Sequence, residues 1–191
     1  MNIGKMKKKS SNLQYKKKKQ ILYKTKDFVI KNGWSSKIIE EMKNKNVKSE
    51  DLILLFPNGY KSLLNFSLEE LNLEVENKIK KNNIINFPLS KRIRKIILTR
   101  FELMDENKKF YKRTFFYLIL PHNSKIMKKN LYKTIDDIWY MAGDNSTDFS
   151  YYTKRIILSL IYVSALFVFY NKSIEETKIN LDKNLNKISK I

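Results

Sequence analysis

ILYKTKDFVIKNGWSSKIIEEMKNKNVKSEDLILLFPNG, residues 21 to 59, decides how the chain folds. Ile21, Leu22, Thr25, Phe28 and Val29 recur at helical spacing, and Asn32-Gly33 supplies the residues that end a helix. Ser35 or Ser36 can cap a second helix with Ile38, Ile39 and Met42 on its inner face. Asn46 interrupts it, Ser49 can cap a short third helix through Phe56, and Pro57-Asn58-Gly59 stops that one. Three short helices joined by tight turns make a helix-turn-helix head.

Over the whole chain, 191 residues with four Gly and three Pro leave long segments without breakers, and no stretch alternates apolar and polar residues as a strand would. The expected fold class is all-α: residues 1–18 a basic disordered tail or leader, 19–58 the head, 59–191 a larger helical domain. Tyr60 to about Ile79 reads as helix, with Ser67-Leu-Glu-Glu70 as a capping box at a helix start. KRIRKIILTRFELM, residues 91–104, is another, its basic run a solvated face, and FFYLILPHN closes a further apolar helix at Pro121. Over residues 124–142, Met127, Leu131, Ile135, Ile138, Trp139 and Ala142 make one apolar stripe, ended by Gly143. IILSLIYVSALFVFY, residues 156–170, runs 15 residues without a charge, short of the ~20 of a membrane span. It reads as a helix buried on more than one side, in a core and a dimer interface, with Ser159, Ser164 and Ala165 allowing close approach. The last helix, from Ser173, places Ile174, Leu181, Leu185 and Ile188 on one side.

The formal net charge is +20, and residues 1–26 hold ten Lys and no Asp or Glu. Such a balance points to nucleic acid, an acidic membrane or a targeting leader, though Lys far outnumbers Arg and Asn and Ile are abundant, a bias that compositional drift also produces. The charge is therefore discounted as functional evidence, and a solvated Lys-rich surface is expected ahead of a basic binding patch. With no Cys and one His, His122, thiolate sites, HExxH and paired Glu-x-x-His sites are excluded. His122 itself reads as a helix-end residue near the negative end of the dipole. No P-loop, GxGxxG or GxSxG occurs.

AGDNSTDFSYYTKR, residues 142–155, sets acids, hydroxyls and a cation against the apolar run without metal spacing or a usable base. Asp148, Tyr151, Tyr152 and Arg155 fall at i, i+3, i+4 and i+7, one helix face. Adjacent aromatics beside a carboxylate suit a protein-interface hot spot. Alternatively, Asp148 charges the helix start and pairs with Arg155.

The head resembles the N-terminal domain of TetR-type proteins, in the spacing from Gly33-Trp34 through Val47 to Phe56-Pro57-Asn58-Gly59. Its third helix, SEDLILLF, carries Glu50 and Asp51 and no Lys or Arg, and Ile53 stands where that pattern has a phosphate-contacting Tyr. A recognition helix offers cations to phosphates and polar forks to base edges, so the chemistry argues against nucleic acid even though the shape allows a TetR-type ligand-responsive, DNA-binding transcription regulator.

A longer resemblance runs from LPHN at 120–123 through DDIWYMAGDNSTDFSYYTKR at 136–155. This region is similar to the signature of the ninth Coq protein family, accessory lipid-binding proteins of ubiquinone (coenzyme Q) biosynthesis with a TetR-like fold. The resemblance implies a non-catalytic homodimer without a cofactor. Its ligand is an isoprenoid or other long-chain lipid, and it presents quinone precursors to the di-iron demethoxyubiquinone hydroxylase. It implies peripheral membrane attachment at the matrix side of the mitochondrial inner membrane, or the cytoplasm in a bacterium. Carried over by position, the partner-facing residues are Ile138, Asp148, Tyr151 and Tyr152, and the family has Trp where Tyr151 stands. Candidates to line the lipid site are Tyr117, Leu120, Trp139, Ile156 and Leu160, though a Trp placed like Trp139 is more often core than pocket or interface. Better-known members carry a further amphipathic helix after the last one read here. Either that element is missing, or the final helix and the Lys-rich surface serve in its place.

Overall fold

A computed structural model describes residues 3–144 and 150–188, and the described residues form helices and turns with no strand. The helices are α1 (Ile3–Asn32), α2 (Lys37–Asn44), α3 (Ser49–Leu55), α4 (Tyr60–Lys81), α5 (Leu89–Asp105), α6 (Lys108–Leu118), α7 (Ser124–Met141), α8 (Ser150–Asn171) and α9 (Ile174–Ile188). The all-α class follows from the long segments without breakers. The segment read as a tail is helical from Ile3. Its Lys, Gln, Leu and Met are good helix formers and outweigh Gly4 and the Ser10-Ser11-Asn12 run.

The chain divides into two compact units. The first runs through Ser67 and takes in Lys109–Tyr117. Ile21, Leu22, Thr25 and Val29 of α1 are buried with Ile38 and Met42 of α2 and Leu52 and Leu55 of α3. Thr25 is accommodated there because its hydroxyl donates to the Ile21 carbonyl at 2.8 Å. Gly33, at φ 77°, ends α1 in the left-handed conformation that favours glycine. Trp34 then turns inward: its indole N–H donates to the Thr114 hydroxyl at 3.0 Å and its ring meets Phe110 edge-on at 5.8 Å. Arg113 donates to the Ile30 carbonyl at 3.1 Å, and the Tyr60 and Tyr117 hydroxyls lie 3.1 Å apart. These contacts, 57 to 83 residues apart in sequence, bring most of α6 into the head, whereas the sequence divides the chain at residue 58.

The second unit holds Leu68–Lys108 and the chain from Leu118 onward. Phe101 of α5, fully buried, stacks on Phe169 at 5.0 Å and on Tyr162 at 5.9 Å, both on α8. Arg94 forms a bidentate pair with Asp182, tying α5 to α9. Arg100 is buried among neutral acceptors: it donates to the Tyr162 hydroxyl at 2.7 Å, to the Asn72 side-chain carbonyl and to the Thr134 hydroxyl at 3.4 Å.

By length and composition alone, Tyr151–Asn171 is long and apolar enough to cross a membrane, a test that a core helix also passes. In the fold its inner face, with Leu158, Ile161, Ala165 and Phe169, is built into the core. Its other face is open, so the expectation of a helix buried on more than one side is not met within the described chain. Ala165 belongs to the core face, and Ser159 and Ser164 lie half-exposed.

Candidate functional site

Two facing pairs at i, i+4 spacing organise the α7–α8 junction: Tyr132 and Asp136 on α7, Tyr151 and Arg155 on α8. The Arg155 guanidinium lies over the Tyr151 ring, 3.3 Å from its centroid, and its Nη1 donates to the Tyr151 carbonyl at 3.2 Å. Nε and Nη2 reach Asp136 Oδ1 at 2.9 and 2.7 Å. Asp144, just past the end of α7, lies 3.7 Å from Nη1 and receives a hydrogen bond from Lys154 Nζ at 3.1 Å. Lys154 in turn sits 5.7 Å above the ring of Trp139.

The Tyr151 hydroxyl donates to Asp136 at 3.2 Å and lies 3.1 Å from the Tyr132 hydroxyl. The bond with Tyr132, then burial and the bond to Asp136, favour the neutral phenol, whose pKa is pushed up to about 12. This hydroxyl, which a Trp at this position would lack, is what ties the ring of α8 to α7. Tyr151 packs edge-on against Tyr152 at 5.1 Å. The network fixes one aromatic ring while its neighbour, leaning on it, is open to solvent: Tyr152 is 66 % exposed. From there an uncharged strip continues along α8 through Ile156, 63 % exposed, Leu160, 68 % exposed, and Phe167.

The residues expected from sequence separate in this frame. Tyr151 and Tyr152 sit together on the open end of α8. Asp148 lies outside the described residues. Ile138 is 1 % exposed; it points with Ile135 and Ala142 into the core, so its side chain offers no surface to a partner, a correction to its expected role. Arg155 pairs with Asp136 and Asp144, and its expected pairing with Asp148 lies outside the described residues. Of the five lipid candidates, Tyr117 falls in the first unit and the other four in the second. Within the second, Trp139 is interior while Leu120, Ile156 and Leu160 are exposed, so these four do not line one enclosed cavity. The Trp139 indole N–H is buried with no acceptor among the described residues. His122 is exposed in a short 3-10 turn, Pro121–Asn123.

Sequence reasoning missed a cleft of about 290 Å³ in the second unit, lined by Glu69, Asn72, Leu73, Glu76, Lys133, Asp137, Tyr140 and Met141. Asn72 Nδ2 donates to Asp137 at 2.8 Å. Burial raises the Asp137 pKa above the ordinary carboxylate value, opposed by Lys133 and by the Asn72 bond. The signal was present as Asn72, Arg100 and Thr134, polar residues at inward positions of apolar helices, but the pairing needs three elements at once. Among the described residues no group of three or more His, Cys, Asp or Glu is placed to hold a metal ion.

The family model for COQ9 matches residues 125–191, which include the Arg155 network and the open strip of α8. The Bos taurus protein named "Ubiquinone biosynthesis protein COQ9, mitochondrial" is 30% identical over 144 residues, 71% of this chain and 45% of that protein. The Rattus norvegicus protein of the same name is 29% identical over 175 residues, 84% of this chain and 54% of that protein. The Dictyostelium discoideum protein named "Probable ubiquinone biosynthesis protein coq9, mitochondrial" is 36% identical over 58 residues, 30% of this chain and 19% of that protein. The chain spans about half the length of the mammalian relatives it matches. On the family model and these relatives together, the chain belongs to the COQ9 family.

Proposed function

We propose that this chain is a non-catalytic, lipid-binding accessory protein of ubiquinone biosynthesis that presents isoprenoid quinone precursors to the di-iron demethoxyubiquinone hydroxylase. The names of its relatives support the pathway and a mitochondrial location, and we place the protein at the matrix side of the inner membrane. The observation that carries the reading is the open strip of α8. Tyr152, Ile156, Leu160 and Phe167 expose a row of large apolar side chains with no charge from Ile156 to Tyr170. Each such side chain gains about 1.5–3 kcal/mol on full burial, so the strip favours being covered.

The fixed Tyr151 ring and the exposed Tyr152 ring suit the hydroxylase end, where an aromatic anchor meets a rigid neighbour. Leu160 and Phe167 suit a second copy of the chain. Fifteen residues of helix separate Tyr152 from Phe167, about 22 Å, which leaves room for both contacts. Ile156, between the two, offers apolar surface to a prenyl chain. Native mass spectrometry of the purified protein, followed by organic extraction, tests the reading: prenyl or other long-chain lipid is expected. Repeatedly empty protein that also fails to retain the hydroxylase would overturn it.

A further inference from the structure

The first unit contains a second concavity, about 780 Å³, between α1 and the turn that leads into α3. Lys17, Lys19, Lys24 and Lys48 line it, and the one carboxylate on its wall, Asp51, is held by Lys17 at 2.9 Å. Its sides are tied reciprocally: Lys24 Nζ donates to the Lys45 carbonyl at 3.2 Å, and Lys45 Nζ to the Lys24 carbonyl at 3.0 Å. A carbonyl carries no net charge, so this bond leaves the Lys24 cation unneutralised. No Asp or Glu occurs in α1 before Asp27. On α1, Leu13, Lys17, Gln20 and Lys24 recur at i, i+4, i+7 and i+11, one strip that sets an exposed aliphatic beside the cations.

The outer face of α3 has a different character. Leu52 and Leu55 are buried, while Ile53 is 73 % and Leu54 68 % exposed. Packing within the unit gives no reason for two adjacent exposed aliphatics on a seven-residue helix. Nor does nucleic acid: exposed Ser49 and Glu50 stand one turn before the pair, and aliphatic side chains read no base edge by hydrogen bonding. A basic groove and exposed aliphatic side chains within one unit match an anionic bilayer surface, which supplies phosphates for the lysines and a boundary layer for the aliphatics.

We propose that the head unit docks on anionic lipid, with Lys24 and Lys48 meeting lipid phosphates and Ile53 and Leu54 entering the headgroup layer. This rests on the peripheral-membrane part of the function proposed above and assigns it to a surface outside the matched residues 125–191.

The test is flotation of the full chain with phosphatidylcholine vesicles, with and without phosphatidylglycerol. The wild-type protein should float only with the anionic vesicles. Each lysine near such a surface contributes about fivefold in binding constant, so Lys24→Glu with Lys48→Glu should lower binding more than about 25-fold. Lys48→Glu alone covers the case in which losing the Lys24 bond disturbs the fold. Ile53→Ser with Leu54→Ser leaves the charge unchanged and should lower binding about tenfold. Lys125→Glu with Lys128→Glu, on exposed positions of α7, is the charge-matched control and should bind as the wild type does. If the head variants float like the wild type, the docking surface is elsewhere and this proposal fails while the membrane reading stands. If the wild type floats with neither vesicle, both fail. If the serine pair has no effect and duplex DNA competes the protein off the vesicles, the groove is a general polyanion site and the proposal is overturned.

Discussion

Replacing Arg155 with Ala should loosen the α7–α8 junction without unfolding the chain. The guanidinium makes charge-assisted bonds to Asp136 at 2.9 and 2.7 Å; bonds of this kind contribute about 1.5–3 kcal/mol. Its stacking on Tyr151 at 3.3 Å adds about 0.5–1 kcal/mol. Breaking a buried ion pair costs about 3–5 kcal/mol when it strands a charge, but neither carboxylate is stranded here. The Asp136 side chain keeps 40% of its surface in solvent, and Asp144 keeps Lys154 at 3.1 Å. The expected loss is therefore about 2–4 kcal/mol. At about 2–4 °C per kcal/mol for a chain of this size, the thermal midpoint should fall by roughly 9 °C. Lys at the same position keeps the charge but loses the planar fork and the stacking, so Arg155→Lys should lose about half as much. Circular dichroism melts and urea denaturation of the two variants provide the readout, with an Arg155→Ala/Asp136→Ala double-mutant cycle to isolate the pair. A wild-type midpoint for Arg155→Ala, or additive single effects in the cycle, would refute the view that this network holds the junction.

Arg100→Met should destabilise by about 2–4 kcal/mol in urea denaturation, because it leaves the Tyr162 hydroxyl and the Asn72 carbonyl short of a donor in the core. Asp137→Asn should be more stable than the wild type at neutral pH, with the gap closing as pH falls. The raised pKa of Asp137 means the folded chain takes up that proton before the unfolded chain does, so its contribution is present in acid and lost as pH rises through the folded value. Melts across the mildly acidic range check this, and a gap that widens in acid would contradict it. Trp139→Phe removes a buried N–H that has no acceptor among the described residues; a thermal melt should show the same midpoint or a slightly higher one, and a large fall would mean that the N–H is satisfied.

The helix boundaries were legible where the stop is local. Gly33, Gly59 and Gly143 all take positive φ, and each closes or precedes a helix as its neighbours in sequence imply. The capping box shows where local reading fails. Ser67-Leu-Glu-Glu70 and Ser173-Ile-Glu-Glu176 share one pattern, and only the second is a cap. There, Glu176 N donates to Ser173 Oγ at 3.2 Å and Ser173 N to Glu176 Oε2 at 3.1 Å. Ser67 lies inside α4 and its hydroxyl donates to the Leu64 carbonyl at 2.7 Å. The buried row Leu63, Leu64, Phe66 and Leu71 runs straight past it, so packing carries the helix through.

Site residues followed the same division. Tyr151 and Tyr152 could be placed on a helix face from spacing alone. The partners of Arg155 could not, because Asp136 is 19 residues away on another helix. Ile138 shows the opposite failure: a position carried over from a resemblance says nothing about which way the side chain points, and the stripe that includes Ile135 and Ala142 takes it inward. The head's inclusion of α6 rests on Trp34 meeting Thr114 across 80 residues, a separation that no periodicity encodes.

The most direct test of the proposed role is the affinity of the purified protein for demethoxyubiquinone hydroxylase, measured by biolayer interferometry for the wild type and for Tyr152→Ala. Tyr152 is exposed and its hydroxyl is not part of the Arg155 network, so the variant should fold as the wild type does. Binding by the wild type and a loss of at least about tenfold in the variant are expected for an anchor worth more than about 1.4 kcal/mol. Equal affinity of the two proteins, or no binding by either, would contradict the assignment of this face to the hydroxylase.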